Sequence, residues 1–268
     1  MDDASSDATL EVVSKFKDPR IRYLRIQENG GVLRARNRGF DEARGDYVTI
    51  LDDDDELLPE ALGVVVEEFE RTADENVEVL WFDCRDAESG QKSGTTSIPA
   101  GIINFDEYVC GRIQGDFWVT FSKTALRGNR FNEKLKAHES LLWLRIHWYH
   151  KARYVPRILC LKYREHGGER LCDLNVRLGQ LVHTTLALSL FIEEFGGHLK
   201  RICPSRYGEK LAYLGLHQMA TNDFSSGRIS ILQSFKYRLS AKYFLLYVIS
   251  FFVTVNLVKR MIARMESS

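Results

Sequence analysis

The sequence predicts an α/β protein, with a mixed-sheet domain over residues 1–168 and a helical C-terminal region after it. Two observations carry this reading. Short β-branched or aromatic runs alternate with helical patterns through the first part of the chain, the signature of a layered sheet-and-helix domain. After Arg170 the strand-like runs stop and longer helical stretches take over. Hydrophobic residues make up 44% and charged residues 28% of the 268 positions, as in an ordinary folded domain with an appendage.

The elements follow in order. Ile21 to Ile26 reads as a strand. Val32 to Ala43 reads as a helix, its apolar face carrying Val32, Ala35, Gly39, Phe40 and Ala43 at spacings of three and four. Gly45 ends it, and Tyr47 to Leu51 forms the next strand. Pro59 opens a helix that continues from Ala61 to Arg71, and Val77 to Phe82 is again a strand. The Gly-, Ser- and Thr-rich stretch Ala87 to Ala100 reads as a loop. Phe117 to Phe121 is a strand, Glu139 to Tyr149 a mostly apolar helix, and Arg153 to Tyr163 an extended run interrupted by Pro156. Helices are expected over Leu174 to Phe195 and Tyr207 to Thr221, so that residues 169–238 form a helical extension and 239–268 a tail.

That tail runs without a charge from Tyr243 to Val258, flanked by Lys242 and by Lys259-Arg260. As one helix it spans about 24 Å, short of the ~30 Å hydrocarbon core of a bilayer. A membrane-surface helix, a helix buried on the domain and a true span remain alternatives; basic flanks and tyrosines fit the first best. The N-terminus has neither a basic nor an apolar segment, so no cleaved signal peptide is expected and the chain reads as cytoplasmic, with peripheral membrane attachment through the tail.

Composition excludes several classes. With 37 basic and 37 acidic side chains there is no basic excess of the kind a nucleic-acid binder carries. The five cysteines are odd in number and widely spaced, with no C-x-x-C pair, so buried thiols are expected instead of a zinc site or a disulfide framework.

Chemistry concentrates where the strand Tyr47–Leu51 runs into Asp52-Asp53-Asp54-Asp55-Glu56. Five consecutive carboxylates repel one another unless a cation sits among them, and the carboxyl edge of an open α/β sheet is where ligands bind. Mn²⁺ or Mg²⁺ held there by oxygen ligands would clamp a diphosphate. A solvated acidic turn is the bland alternative, disfavoured by the apolar strand just before the run. Glu139, opening its helix, is either a general base kept ionised by the helix dipole or a helix-start residue. His166, in the polar turn Tyr163-Arg-Glu-His-Gly-Gly, either completes a metal site or is an exposed turn residue. The helix histidines His147 and His150 read as structural or surface groups.

Five segments, in order, resemble the inverting family 2 glycosyltransferases of the GT-A fold. Met1-Asp-Asp-Ala-Ser-Ser-Asp-Ala-Thr9 is similar to V-D-D-x-S-x-D-x-T, and the segment Glu28 to Gly39 to N-x-G-x-x-x-A-R-N-x-G. Gly45 to Asp55 resembles the segment holding the DxD motif. His138-Glu-Ser-Leu-Leu-Trp-Leu-Arg145 is like E-D-x-x-L-x-x-R, and Tyr163-Arg-Glu-His166 like Y-R-x-H. The resemblance covers residues 1 to 168. It implies a nucleotide-diphospho-sugar transferase sheet that lacks its first strand and helix, because the chain starts at the family's second motif.

By the same resemblance Asp2, Asp3, Arg36, Asp52 and Asp53 bind the nucleotide, and Asp54, Asp52 and His166 hold Mn²⁺ or Mg²⁺. Glu139 falls at the catalytic-base position, with His138 where the family has an acid. The implied reaction transfers a sugar from a UDP- or GDP-linked donor, with inversion, to a glycan, polysaccharide or lipid-linked acceptor. The rival readings are a non-catalytic sugar-nucleotide-binding or interaction domain, favoured by the missing strand and His138-Glu139, and a nucleotidyltransferase. The second would show a glycine-rich basic phosphate loop, and none is visible.

Overall fold

The fold is described from a computed structural model, over residues 1–93, 98–136, 138–163 and 178–266. The chain forms two compact units, residues 1–103 with 115–164, and residues 104–114 with 165–268.

The first unit is built on a sheet of seven strands among the described residues: β1 (Tyr47–Thr49), β2 (Asp55–Leu57), β3 (Val77–Asp86), β4 (Lys92–Ser93), β5 (Gly101–Ile102), β6 (Phe117–Ser122) and β7 (Lys151–Lys162). Its main order is β1-β6-β3-β7-β2, with β4 attached to β3 and β5 to β7. β3 and β7 run parallel and the other pairs antiparallel, so the sheet is mixed. The central strand β3 is buried continuously from Val79 to Cys84, as a strand covered on both faces must be. Helices α1 (Val32–Glu42), α2 (Ala61–Arg71) and α3 (Ser140–Tyr149) belong to this unit.

Side chains alternate across β3 and choose different partners. Leu80, Phe82 and Cys84 pack in one cluster with Ala61, Val64, Val65 and Phe69, the apolar stripe of α2. On the opposite side Trp81 meets His147 of α3 edge-on, ring centroids 4.8 Å apart, and Phe121 of β6 stacks on Trp143 at 5.1 Å. Cys84 and Cys160 are register partners across β3 and β7, and the four cysteines among the described residues are all free thiols. Cys172 lies outside those residues.

Two local expectations change. The run Ile21–Ile26 is not a strand: it makes an isolated parallel bridge between Arg25 and Asp2, with Asp2 N–H donating to Leu24 O at 2.8 Å and Ile26 N–H to Asp2 O at 2.8 Å. Conversely, Pro156 does not interrupt β7. Val155 pairs with Phe82 and Ile158 with Asp83, so Pro156 and Arg157 bulge out where a missing N–H costs no ladder bond.

The second unit is helical. Its long helices are α4 (Leu181–Ile202), α5 (Pro204–Ala220), α6 (Phe224–Ser234), α7 (Ala241–Ile249) and α8 (Val255–Glu266). A short helix, Phe105–Val109, joins them through a 2.7 Å contact between Asp106 and His198. The core gathers Leu216 and Met219 of α5, Ile231 of α6, Tyr243 and Leu246 of α7, and Val258 and Ile262 of α8. α5 and α6 cross at glycines. A Cβ on Gly215 would stand 2.6 Å from Gly227 O, and one on Gly227 would stand 2.7 Å from Gly215 O.

The tail is two helices, not the single one its apolar run suggests. Ser250 carries the break. Its hydroxyl donates to Tyr247 O at 2.6 Å, and its carbonyl accepts from Arg228 Nη2 at 2.7 Å instead of continuing the helical ladder. Among the described residues no helix is long and apolar enough to cross a membrane.

Candidate active site

The acidic run is placed by two strands. β1 is tied to β6 just before the run: Thr49 Oγ1 donates to Val119 O at 3.0 Å, and Trp118 Nε1 donates to Ile50 O at 3.2 Å. The chain then turns, Asp55 N–H donating to Asp52 O at 3.1 Å, and enters β2. Oxygens of Asp52, Asp54 and Asp55 converge to within 4.8 Å of one another. Asp53 is exposed and is not one of these three.

Register supplies a cation to this cluster. Asp55 is the direct partner of Lys162 across β2 and β7, and the two side chains form an ion pair in which the Asp55 side chain is 3% exposed. Lys162 Nζ also lies 4.0 Å from Asp52 Oδ2. Burial works against the Lys162 charge, but its hydrogen bond to Asp55 and the surrounding negative charges outweigh it and raise its pKa. Burial likewise raises the Asp55 carboxyl, with Lys162 opposing the shift.

Arg36 supplies the second cation. It projects from α1 and is largely buried, its Nη2 2.5 Å from Asp52 Oδ1 and its Nη1 paired with the Glu139 carboxylate. Burial disfavours its charge, yet Glu139 and Asp52 together raise its pKa. One guanidinium thus joins the acidic turn to the start of α3, two elements far apart in sequence. Asn37, the next residue, fixes the loop that leads to Glu139. Its amide accepts from Phe131 N–H at 2.8 Å and donates to Phe131 O at 3.0 Å and to Glu133 Oε1 at 2.9 Å.

The N-terminal aspartates organise the neighbouring wall. The buried Asp2 carboxylate accepts from Ser5 N–H at 2.8 Å and from the Tyr23 hydroxyl, with Arg25 Nε 3.7 Å away. Hydrogen bonds from Ser5 and Tyr23 hold its pKa down to about 2. Asp3 accepts from Gly30 N–H at 3.0 Å and Gly31 N–H at 2.6 Å, where the chain enters α1. A carboxylate is favoured at a helix N-terminus, and Gly31 there has a φ of 87°, a conformation suited to glycine.

A cleft of about 580 Å³ runs between these groups, and Asp2, Asp3, Arg36, Asp52 and Asp53 all line it. Its apolar wall includes Val32, Phe40, Val48 and Ile50. A separate hollow of about 680 Å³ near Asp46 and Arg127 contains none of the predicted residues. His166 lies outside the described residues. Sequence reasoning missed Lys162 and the bracing role of Asn37. Only strand register reveals the first, and only the position of the 131–133 loop the second.

Comparison with known proteins places this arrangement. The sequence model described as glycosyl transferase family 2 matches residues 1–144. The chain belongs to that family. Among curated relatives it is 32% identical over 169 residues to the GalNAc(5)-diNAcBac-PP-undecaprenol beta-1,3-glucosyltransferase of Campylobacter jejuni, an alignment covering 59% of this chain and 53% of that protein. It is also 32% identical over 103 residues to the succinoglycan biosynthesis protein ExoO of Rhizobium meliloti, covering 37% and 30%. The chain therefore spans about half, or less, of the curated relatives it matches. Among solved structures, S. aureus TarS 1-349 in complex with UDP superposes with a TM-score of 0.60 at 14% identity, over 96% of this chain and 78% of that one. The same protein with UDP-GlcNAc gives a TM-score of 0.59 at 13% identity, over 96% and 79%. This family 2 chain thus shares the GT-A fold with that protein.

Proposed function

We propose that this chain transfers a sugar from a UDP-linked donor to a hydroxyl of a glycan, with inversion, and that the glycan is a growing saccharide on a lipid carrier or polysaccharide. One observation carries the reading: Arg36 joins Asp52, on the cleft wall, to Glu139. A donor lying along the cleft, its diphosphate toward the acidic turn, would present its sugar to the Glu139 side. UDP is favoured over GDP by the UDP-bound structures that share the fold. A lipid-linked acceptor is favoured by the Campylobacter relative, which is named for its GalNAc(5)-diNAcBac-PP-undecaprenol substrate.

The acidic turn suits a divalent ion. Its converging donors are all carboxylate oxygens, the ligand type that Mn²⁺ and Mg²⁺ prefer. Asp54 and Asp52 are assigned as its ligands on motif resemblance, Asp55 being paired with Lys162 and Asp52 also held by Arg36. His166 is assigned to the same ion or to the diphosphate on motif resemblance. When bound, the ion supplies positive charge against the departing diphosphate.

The remaining chemistry belongs to the side chains. Glu139 accepts the proton of the acceptor hydroxyl as that oxygen forms a bond to the anomeric carbon. The bond from that carbon to the diphosphate oxygen breaks on the opposite face, its electron pair leaving with the nucleotide, and configuration inverts. Arg36 orients Glu139 and Asp52 together, a positioning role. Asp2, Asp3 and Asp53 shape the cleft near the nucleoside, Asp2 by holding Ser5 and Tyr23 and Asp3 by holding Gly30 and Gly31 at the start of α1.

Calorimetric titration of the chain with UDP and with GDP, with and without Mn²⁺, tests the proposal. Mn²⁺-dependent UDP binding that disappears in Asp54→Ala is expected. UDP binding that is indifferent to Mn²⁺ and to Asp54 would overturn the metal assignment. No binding of either nucleotide by a cooperatively folded chain would overturn the donor site.

A further inference from the structure

Helix α7 is apolar on two faces, and one of them is unpartnered. Tyr243 and Leu246 turn inward to the helical core. Phe244, Leu245 and Val248, at the helical spacing of one and four, face solvent instead, Phe244 being 61% exposed. The turn that follows presents Phe251 and Phe252, the latter 86% exposed, and Leu239 just before the helix is 87% exposed. Monomeric proteins seldom display so many large apolar side chains on one short segment.

These side chains are held in place. Arg228 of α6 donates to the Ser250 carbonyl at 2.7 Å, and its guanidinium lies over the Phe251 ring at 4.2 Å. The aromatic turn is thereby fixed to the bundle.

Charge identifies the occupant. From Phe224 to Met265 the sequence carries seven Lys and Arg and no Asp or Glu, within a chain whose net charge is zero. Lys242 and Arg260, both exposed, flank the apolar strip. Apolar and aromatic side chains rimmed by cations, on helices too short to span, suit a surface that is greasy beneath and negative on top. A second copy of the chain fits poorly, because a two-fold contact would set this cationic surface against itself.

We infer that α7 and the Phe251-Phe252 turn dock the protein on an anionic lipid bilayer, with the phenylalanines entering the headgroup boundary and the flanking Lys and Arg meeting lipid phosphates. This inference is independent of the donor-site reading, since it uses residues of the other unit.

Vesicle flotation of the full chain tests it, using phosphatidylcholine alone and phosphatidylcholine with about 30 mol % phosphatidylglycerol. UDP calorimetry on the same preparation reports the donor site separately. Binding is expected to the anionic vesicles only, and to weaken about tenfold between roughly 0.1 and 0.5 M salt. The double variant Phe244→Ser/Phe252→Ser should lose about tenfold or more in vesicle affinity with an unchanged circular-dichroism melt, because both rings are exposed. Equal binding by the variant, equal binding to neutral vesicles, or no binding by the folded chain would each overturn the inference. So would a dimer in light scattering that the double variant dissolves, which would assign the strip to a second copy.

Discussion

Replacing Lys162 by Met isolates what the cation contributes to the acidic turn. Asp55 sits opposite Lys162 across β2 and β7, its side chain 3% exposed, while that of Lys162 is 24% exposed. Removing one partner of a fully buried pair costs about 3–5 kcal/mol, because the remaining charge is stranded. Lys162 is one-quarter open to water, which lowers the expectation to about 2–3 kcal/mol. The reverse substitution, Asp55→Leu, should cost less, about 1 kcal/mol, since Lys162 keeps Asp52 at 4.0 Å and reaches solvent. Joining the two makes an apolar cross-strand pair and should return the protein to within ~1 kcal/mol of its original stability. All four tryptophans, Trp81, Trp118, Trp143 and Trp148, lie in the sheet unit. Urea unfolding followed by tryptophan fluorescence in chelator therefore reports that unit, and the four proteins close a double-mutant cycle. A coupling energy below ~0.5 kcal/mol would show that the pair holds nothing together and refute the argument from register.

Three further outcomes follow from other contacts. Glu139→Gln should cut sugar transfer by roughly 10²–10⁴ while leaving UDP affinity within about threefold; unchanged turnover would remove Glu139 as the base. His147 is buried and its pKa is lowered to about 4, so the folded state disfavours its proton. The unfolded chain, protonating near pH 6.5, gains protons first, so sheet-unit stability should fall as pH drops from about 6.5 to 4, by up to ~3 kcal/mol. His147→Gln should flatten that loss, and an unchanged profile would contradict the assignment. Gly215→Ala, which sets a methyl 2.6 Å from a backbone oxygen, should cost about 1–3 kcal/mol and lower the circular-dichroism melting temperature by several degrees. An unchanged melt would mean that α5 and α6 part without strain.

How much of this was legible beforehand depends on whether a contact is local or made by register. Helices α1 and α2 were readable because their apolar residues repeat at three and four, and the sheet wrapped by α2 needs that stripe. The strand before Asp52 was readable from its β-branched run, and the predicted nucleotide residues do gather on one cleft, although they come from three separate segments. What composition could not show is where two distant segments come into register. Lys162 is one lysine among many until β7 places it opposite Asp55, and Asp52 is one acid in a run of five until Arg36 reaches it from α1. Pro156 misled in the opposite direction, since local rules end a strand at proline while tertiary context absorbed it in a bulge. The tail failed for a related reason. Its uncharged run reads as one helix, but Arg228, more than twenty residues earlier, takes the Ser250 carbonyl and breaks it. The arginine that takes the Ser250 carbonyl also lies over the Phe251 ring, so Arg228→Gln should loosen the aromatic turn and weaken vesicle binding in flotation; unchanged binding would show that the turn keeps its place without that contact.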